Sequence, residues 1–252
     1  METPEESRTT SVIRVIAFVA SAADAALVLR FAWEKPLVAL GMLIGLFGIA
    51  TLRWLARRRA RRTLLSGNVD AVLREWSSSI SRAPEARTMA PLMTATAFAA
   101  NGWVEQVREV LAAAHRGPAW DAALEHRLFI DTLLLTFEGD REEAMRQSER
   151  LVRLPLPQVE PAMRDRIAAL RGGVAALARA FAHKCEAGDR EALEQAARIS
   201  PLVHWAMRYA SAVVAIDEGD TAKARGYLEG APDWPSESAF RMFHDEIASH
   251  SK

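Results

Sequence analysis

The sequence predicts an all-α protein in which an N-terminal transmembrane helical hairpin precedes an α-solenoid of antiparallel helix pairs. Three observations carry this. A run of sixteen uncharged residues from Leu37 to Leu52 is followed closely by a cluster of arginines. From residue 63 onward apolar residues recur at spacings of three and four, with no alternating strand-like run. Glycine-centred turn signals punctuate that second part at roughly regular intervals. The predicted division is a tail over 1–10, the hairpin with its arginine cluster over 11–62, and a helical-repeat domain over 63–252 that ends in a capping helix.

The uncharged run, extended by Trp54 and Leu55 if Arg53 snorkels, is long enough to cross about 30 Å of hydrocarbon at 1.5 Å per residue. A buried core helix is the competing reading. It is disfavoured because Arg57, Arg58, Arg59, Arg61 and Arg62 follow at once, a pattern that stops transfer and holds its side in the cytoplasm. Beside a span, anionic lipid headgroups are the expected contact of these five side chains, in preference to nucleic acid. The preceding stretch, Val12 to Trp33, is also apolar and long, but it carries Arg14, Asp24 and Arg30. Two readings stay open for it: a second span, joined by the tight link Glu34-Lys35-Pro36 so that both termini are cytoplasmic, or a segment lying along the interface or packed in an oligomer. The acidic start, with Glu2, Glu5 and Glu6, fits a cleaved signal peptide poorly.

Gly41, Gly45 and Gly48 form a stripe on one helix face that contains a GxxxG pattern and would let another backbone approach. Ala17, Ser21 and Ala25 of the first segment, or a second copy of the chain, are the candidate partners, so this face is also the candidate for homo-oligomerisation. No Pro or Gly interrupts Thr51 to Ser66. One helical rod from Leu37 to Ser66, roughly 45 Å long, is therefore expected in place of a flexible arginine-rich linker.

In the body, turn signals stand at Ser66-Gly67-Asn68, Asn101-Gly102, Glu138-Gly139-Asp140, Ala187-Gly188-Asp189 and Glu218-Gly219-Asp220. Their glycines are 35, 37, 49 and 31 residues apart. Five residues after each glycine stands an apolar residue, Val72, Val107, Ala144, Leu193 and Ala224, placed to face the preceding helix across the turn. Pro84, Pro118, Pro155, Pro201 and Pro232 are plausible stops for the second helix of each pair. The long gap holds Leu154-Pro155-Leu156-Pro157 and then Glu160 to Ala187 with Gly172-Gly173 in the middle, which reads as one long helix bent at the glycine pair or as an inserted short helix. A final amphipathic segment, Ser236 to His250, would cap the exposed end of the stack.

Glu138-Gly139-Asp140-Arg141-Glu142-Glu143-Ala144, and again Glu218-Gly219-Asp220-Thr221-Ala222-Lys223-Ala224, resemble the inter-helix turn and following small residue of the tetratricopeptide-repeat (TPR) family. The resemblance covers about residues 53 to 232. It lacks the aromatic residue near the start of each first helix. It implies a groove lined by first helices that binds protein segments. Carried onto this sequence, that groove would present Met89, Leu92 and Thr96, then His126, Phe129 and Leu133, then Tyr209 and Val213. The Lys and Asn pattern with which family members clamp acidic chaperone tails is absent at these positions. The competing reading is that Met, Leu and Phe at helical spacing are core.

Composition narrows the function classes. Basic and acidic residues balance at 32 each, so a strongly basic nucleic-acid binder is excluded. The balance hides a split: residues 1–62 hold 10 basic and 5 acidic side chains, the other 190 hold 22 and 27. Cys185 is the single cysteine, so no intrachain disulfide can form. Twenty-eight Arg against 4 Lys, with 47 Ala, suggest a bacterial source. None of the six histidines sits in a metal-binding spacing. His183-Lys184-Cys185 on a helix would point thiol and imidazole to different faces. No phosphate loop, dinucleotide fingerprint or nucleophile elbow occurs. No catalytic residue, metal site or cofactor is expected.

The expectation is a membrane-anchored cytoplasmic scaffold or adaptor in a bacterial inner membrane, whose protein partner the residues do not name. The alternatives are an accessory subunit of an inner-membrane complex, of the kind that resembles membrane-anchored repeat proteins associated with heme biosynthesis, and an enzyme with dispersed catalytic residues.

Overall fold

The computed structural model describes residues 35–83 and 85–250. Among these residues all regular structure is helical and there is no strand. The chain divides into one unit ending at Arg59 and another starting at Ala60.

In the first unit, α1 (Pro36–Leu65) is the one helix among the described residues that is long and apolar enough to cross a membrane. Its apolar side chains are bare, with Leu37 83% and Phe47 73% exposed. A helix this apolar on all sides fits a hydrocarbon environment, where every backbone group must be satisfied within the segment. Trp54 lies under the Arg58 guanidinium at 5.2 Å, placing an aromatic ring and a cation together where the apolar run gives way to charge. Arg57, Arg58, Arg59, Arg61 and Arg62 are all exposed. Among the described residues nothing lies within 4 Å of where a Cβ on Gly41, Gly45 or Gly48 would stand. The first arm of the expected hairpin, Val12 to Trp33, lies outside the described residues, as do Ala17, Ser21, Ala25 and Pro84.

The second unit follows the last turn of α1 with α2 (Val69–Ser81), α3 (Ala86–Ala100), α4 (Val104–Ala112), the short α5 (Pro118–Ala122), α6 (Leu124–Glu138), α7 (Arg141–Arg153), α8 (Pro161–Phe181), α9 (Asp189–Ile199), a 3-10 turn (Pro201–Val203), α10 (His204–Asp217), α11 (Thr221–Leu228) and α12 (Ala239–His250). Local chemistry explains the breaks. Gly67, Gly102, Gly139, Gly188 and Gly219 all have positive φ, which glycine adopts without steric cost. At three turns the next residue then caps the following helix: Asn68 Oδ1 accepts from Ala71 N–H at 2.9 Å, the Asp140 carboxylate from Glu143 N–H at 3.2 Å and Asp220 from Lys223 N–H at 2.9 Å. Gly67 is constrained twice, because a Cβ there would lie 2.7 Å from the Trp234 ring. The residues five positions on, Val72, Val107, Ala144, Leu193 and Ala224, are each no more than 1% exposed.

The 49-residue gap resolves differently from its sequence pattern. One long helix does run through Gly172-Gly173, but α8 stops at Phe181 instead of continuing to Ala187. His183 takes the left-handed conformation (φ 55°), and Lys184 N–H bonds back to Arg179 O at 2.9 Å, the hydrogen bonding of a Schellman stop. His183 and Cys185 are therefore off the helix. Gly173 serves close packing, since a Cβ there would sit 2.3 Å from the Ala196 Cβ of α9. Pro91 lies inside α3. Its missing N–H frees the Arg87 carbonyl, which accepts instead from His115 N–H at 3.3 Å, while the Thr88 hydroxyl donates to His115 O at 2.9 Å.

Packing gathers the first helices inward. α3 packs on α6, α6 on α8 and α8 on α10, and the 3-10 turn returns to α3. A large apolar core lies among them. α12 does more than cover the last pair. Its Phe240 meets Phe137 of α6 edge to face with ring centroids 5.2 Å apart, and its Phe243 lies tilted against Phe181 of α8 at 4.9 Å. The Ala239 N–H donates to Gly102 O at 2.8 Å and the Ser238 hydroxyl to Asn101 O at 2.7 Å. The final helix packs on the last pair, α10 and α11, and also reaches α6 and α8 with its buried Phe240, Phe243 and Ile247.

Candidate functional site

Of the residues expected to line an apolar groove, Leu92 and Tyr209 are 0% exposed. They cannot touch a partner. Convergence of the first helices turned this face inward, and Leu133 shares their fate. The Tyr209 hydroxyl sits in a closed relay, accepting from Trp234 Nε1 at 2.7 Å and lying 3.1 Å from His244 Nδ1. Burial raises this phenol well above its ordinary pKa, although the Trp234 bond opposes the shift. Met89 is half-buried against the core, and Val213 lines a different cavity, next to α12.

Three residues of the expected groove do come together. Thr96 of α3, with His126 and Phe129 of α6, lines a half-open cleft of about 300 Å³. Its other walls are Ile167, Leu170 and Arg171 of α8, Leu151 of α7, and Ser200, Leu202 and Val203 at the 3-10 turn. His126 is exposed at the rim and Phe129 half-buried beneath it, as expected for positions i and i+3 on one face. Leu202 also reaches the smaller cluster around Val69, Val72 and Ala97, which fixes the 3-10 turn as a wall.

Arg171 is the polar anchor. Only 4% exposed, it donates from Nε to Glu125 Oε1 at 2.9 Å and to the carbonyls of Leu154 and Pro155 at 2.6 and 3.4 Å. Its charge is paired and its fork is used to hold the Leu154-Pro155 loop against α8. The cleft is therefore apolar in character, with a neutralised ion pair at one edge. Ile167, Leu170, Arg171 and Leu202 were absent from the sequence-predicted set. An available signal was the arginine at i+4 from Ile167, on the face that also carries Leu170 and Val174. Among the described residues no three His, Cys, Asp or Glu side chains converge to hold a metal ion.

No protein-family model, curated protein or solved structure matches this chain.

Next to the cleft, His204 opens α10. Burial lowers its pKa, against the Ala197 carbonyl 3.3 Å from Nδ1, and the charges of Arg208 and Arg61 lower it further. The folded state thus holds His204 neutral at pH values where the unfolded chain protonates. Stability from this group is fully present above about pH 6.5, the ordinary histidine value, and is lost as the pH falls from there toward the depressed folded value. Denaturant midpoints measured from pH 7.5 to 5 should fall less steeply in His204→Gln than in the parent. Parallel curves would show that His204 is not a source of the acid sensitivity.

Proposed function

We propose that this protein is a membrane-anchored scaffold whose TPR-like helical body docks an apolar segment of a partner protein in the cleft at Thr96, His126, Phe129, Ile167, Leu170 and Leu202. The observation that carries this reading is the cleft itself: an apolar recess left open beside first-helix positions, Leu92, Leu133 and Tyr209, that are packed shut. A pocket of this size suits one or two large side chains presented by a helix or extended segment. The glycine turns and buried fifth residues support the repeat reading, and the five exposed arginines at the end of α1 support a cytoplasmic body beside a bacterial inner membrane with anionic headgroups. Anchoring would raise the effective concentration of body and partner at that surface.

A photoreactive amino acid at position 126 in the full chain, in native membranes, should crosslink a discrete protein. The adduct should drop at least tenfold with Leu170→Glu and return with Leu170→Met. A probe at Arg198, 70% exposed on α9, is the reference. Adducts no different from those of the Arg198 probe, or unaffected by Leu170→Glu, would reject the docking cleft.

A second reading, an accessory subunit whose contacts are made within the membrane, is favoured by the Gly41, Gly45 and Gly48 face of α1, which no described residue covers. In that case crosslinks would concentrate at these positions and not at 126.

A further inference from the structure

Helix α1 carries six arginines and no Asp or Glu. Four residues near the end of its apolar run gather on one side: at 3.6 residues per turn, Arg53, Trp54, Arg57 and Arg58 fall within about 140° of arc. All four are exposed. Arg53 stands one turn before Arg57 and Trp54 one turn before Arg58, so the patch is two adjacent columns of two. The Arg58 guanidinium lies over the Trp54 ring at 5.2 Å, which draws that charge back toward the apolar end of the helix. Among the described residues no carboxylate pairs with Arg53, Arg57 or Arg58.

Arg53 interrupts the apolar run, with Leu52 before it and Trp54 and Leu55 after. Its stem keeps the charge at headgroup depth by reaching toward the end of the helix, where Arg57 already stands. Like charges at i and i+4 repel, and the low dielectric at the edge of the hydrocarbon strengthens that repulsion. An anion between them removes it. One phosphate matches one guanidinium fork, so three forks within two turns call for more than one phosphate. Two phosphates on one headgroup meet this demand best, because once the first is held the second is present at high effective concentration.

We propose that Arg53, Trp54, Arg57 and Arg58 bind a phospholipid with two phosphates on one headgroup, of the diphosphatidylglycerol class. The guanidinium groups take the phosphates and the indole packs at the level where the acyl chains begin. This rests on the reading of α1 as a membrane anchor and adds to it a choice of lipid.

Electron paramagnetic resonance of lipids spin-labelled on one acyl chain, in phosphatidylcholine bilayers reconstituted with the full chain, tests it. Labelled phosphatidylcholine should show a motionally restricted fraction, which reports α1 in the bilayer. Labelled diphosphatidylglycerol should associate more than twofold more strongly than labelled phosphatidylglycerol, about twofold being what two independent phosphates give. Arg53→Gln with Arg57→Gln should bring that ratio to two or below. Arg59→Gln with Arg62→Gln, which removes the same charge from the other side of α1, should leave it above two. A ratio of two or less in the parent, or equal ratios in the two double variants, would overturn the proposal and leave the anchor standing. No restricted fraction with any lipid would overturn the anchor, and the proposal with it.

Discussion

Replacing Phe240 with alanine should lower the unfolding free energy by about 4 kcal/mol, within the range for truncating a buried aromatic. That is a large part of the roughly 5–15 kcal/mol that holds a typical domain. Phe240 is 0% exposed and meets Phe137, Tyr209 and Trp234 with centroids 5.0 to 5.2 Å away. It also packs under Gly102, where an added Cβ would lie 3.1 Å from its ring. No neighbour can relax into the space: the ring joins α6, α10, α12 and the α3–α4 turn, each tied by its own hydrogen bonds. Chemical denaturation of the reconstituted chain, followed by tryptophan emission, measures the change. A loss under about 1 kcal/mol would mean that α12 is not an integral part of the core.

The second large effect separates two adjacent glycines. Alanine normally stabilises a helix interior relative to glycine by about 0.5–1 kcal/mol. Gly172 has open space around its missing Cβ, so Gly172→Ala should show that gain. At Gly173 the new methyl would stand 2.3 Å from the Ala196 Cβ and 3.2 Å from the Ala192 carbonyl oxygen. Neither is a flexible tip, so α8 and α9 must part. Gly173→Ala should therefore cost about 2–3 kcal/mol, at the upper end for overpacking by one group. Opposite signs at neighbouring positions identify close helix approach as the reason for the pair. Equal signs would restore the bend suggested by the sequence pattern.

These two sites mark what the sequence could and could not convey. The turn glycines at 67, 102, 139, 188 and 219 were legible because positive φ is a local demand that one residue type meets cheaply, and the burial of Val72 or Leu193 follows from a fixed offset along a helix. His183 was not legible as a helix stop, since nothing local marks a histidine for the left-handed region. Pro91 was equally opaque: its place inside α3 depends on the His115 amide, distant in sequence, taking the stranded carbonyl. Of the cleft, His126 and Phe129 could be read from one helix face. Ile167, Leu170 and Leu202 could not, because their meeting depends on how far α8 and the 3-10 turn are rotated. Leu92 and Tyr209 show the converse. A groove-facing position and a core-facing one have the same spacing, and only the inward convergence of the first helices tells them apart.

The ties between the two ends of the body have a kinetic meaning. Trp205 Nε1 bonds Leu65 O across 140 residues and the Ser238 hydroxyl bonds Asn101 O across 137, so the contacts that close this unit are among the most distant in the chain. During synthesis, α1 leaves the ribosome long before Trp234 and Phe240 exist to complete the core. For that interval the nascent body holds its helix pairs without their keystone, with the surfaces of Phe137, Phe181 and Tyr209 open to water. Loop entropy must be lost before these distant contacts repay it, so they close after the local helix pairs. Chaperones acting on this chain should meet it late in translation, while it still lacks residues 234–247.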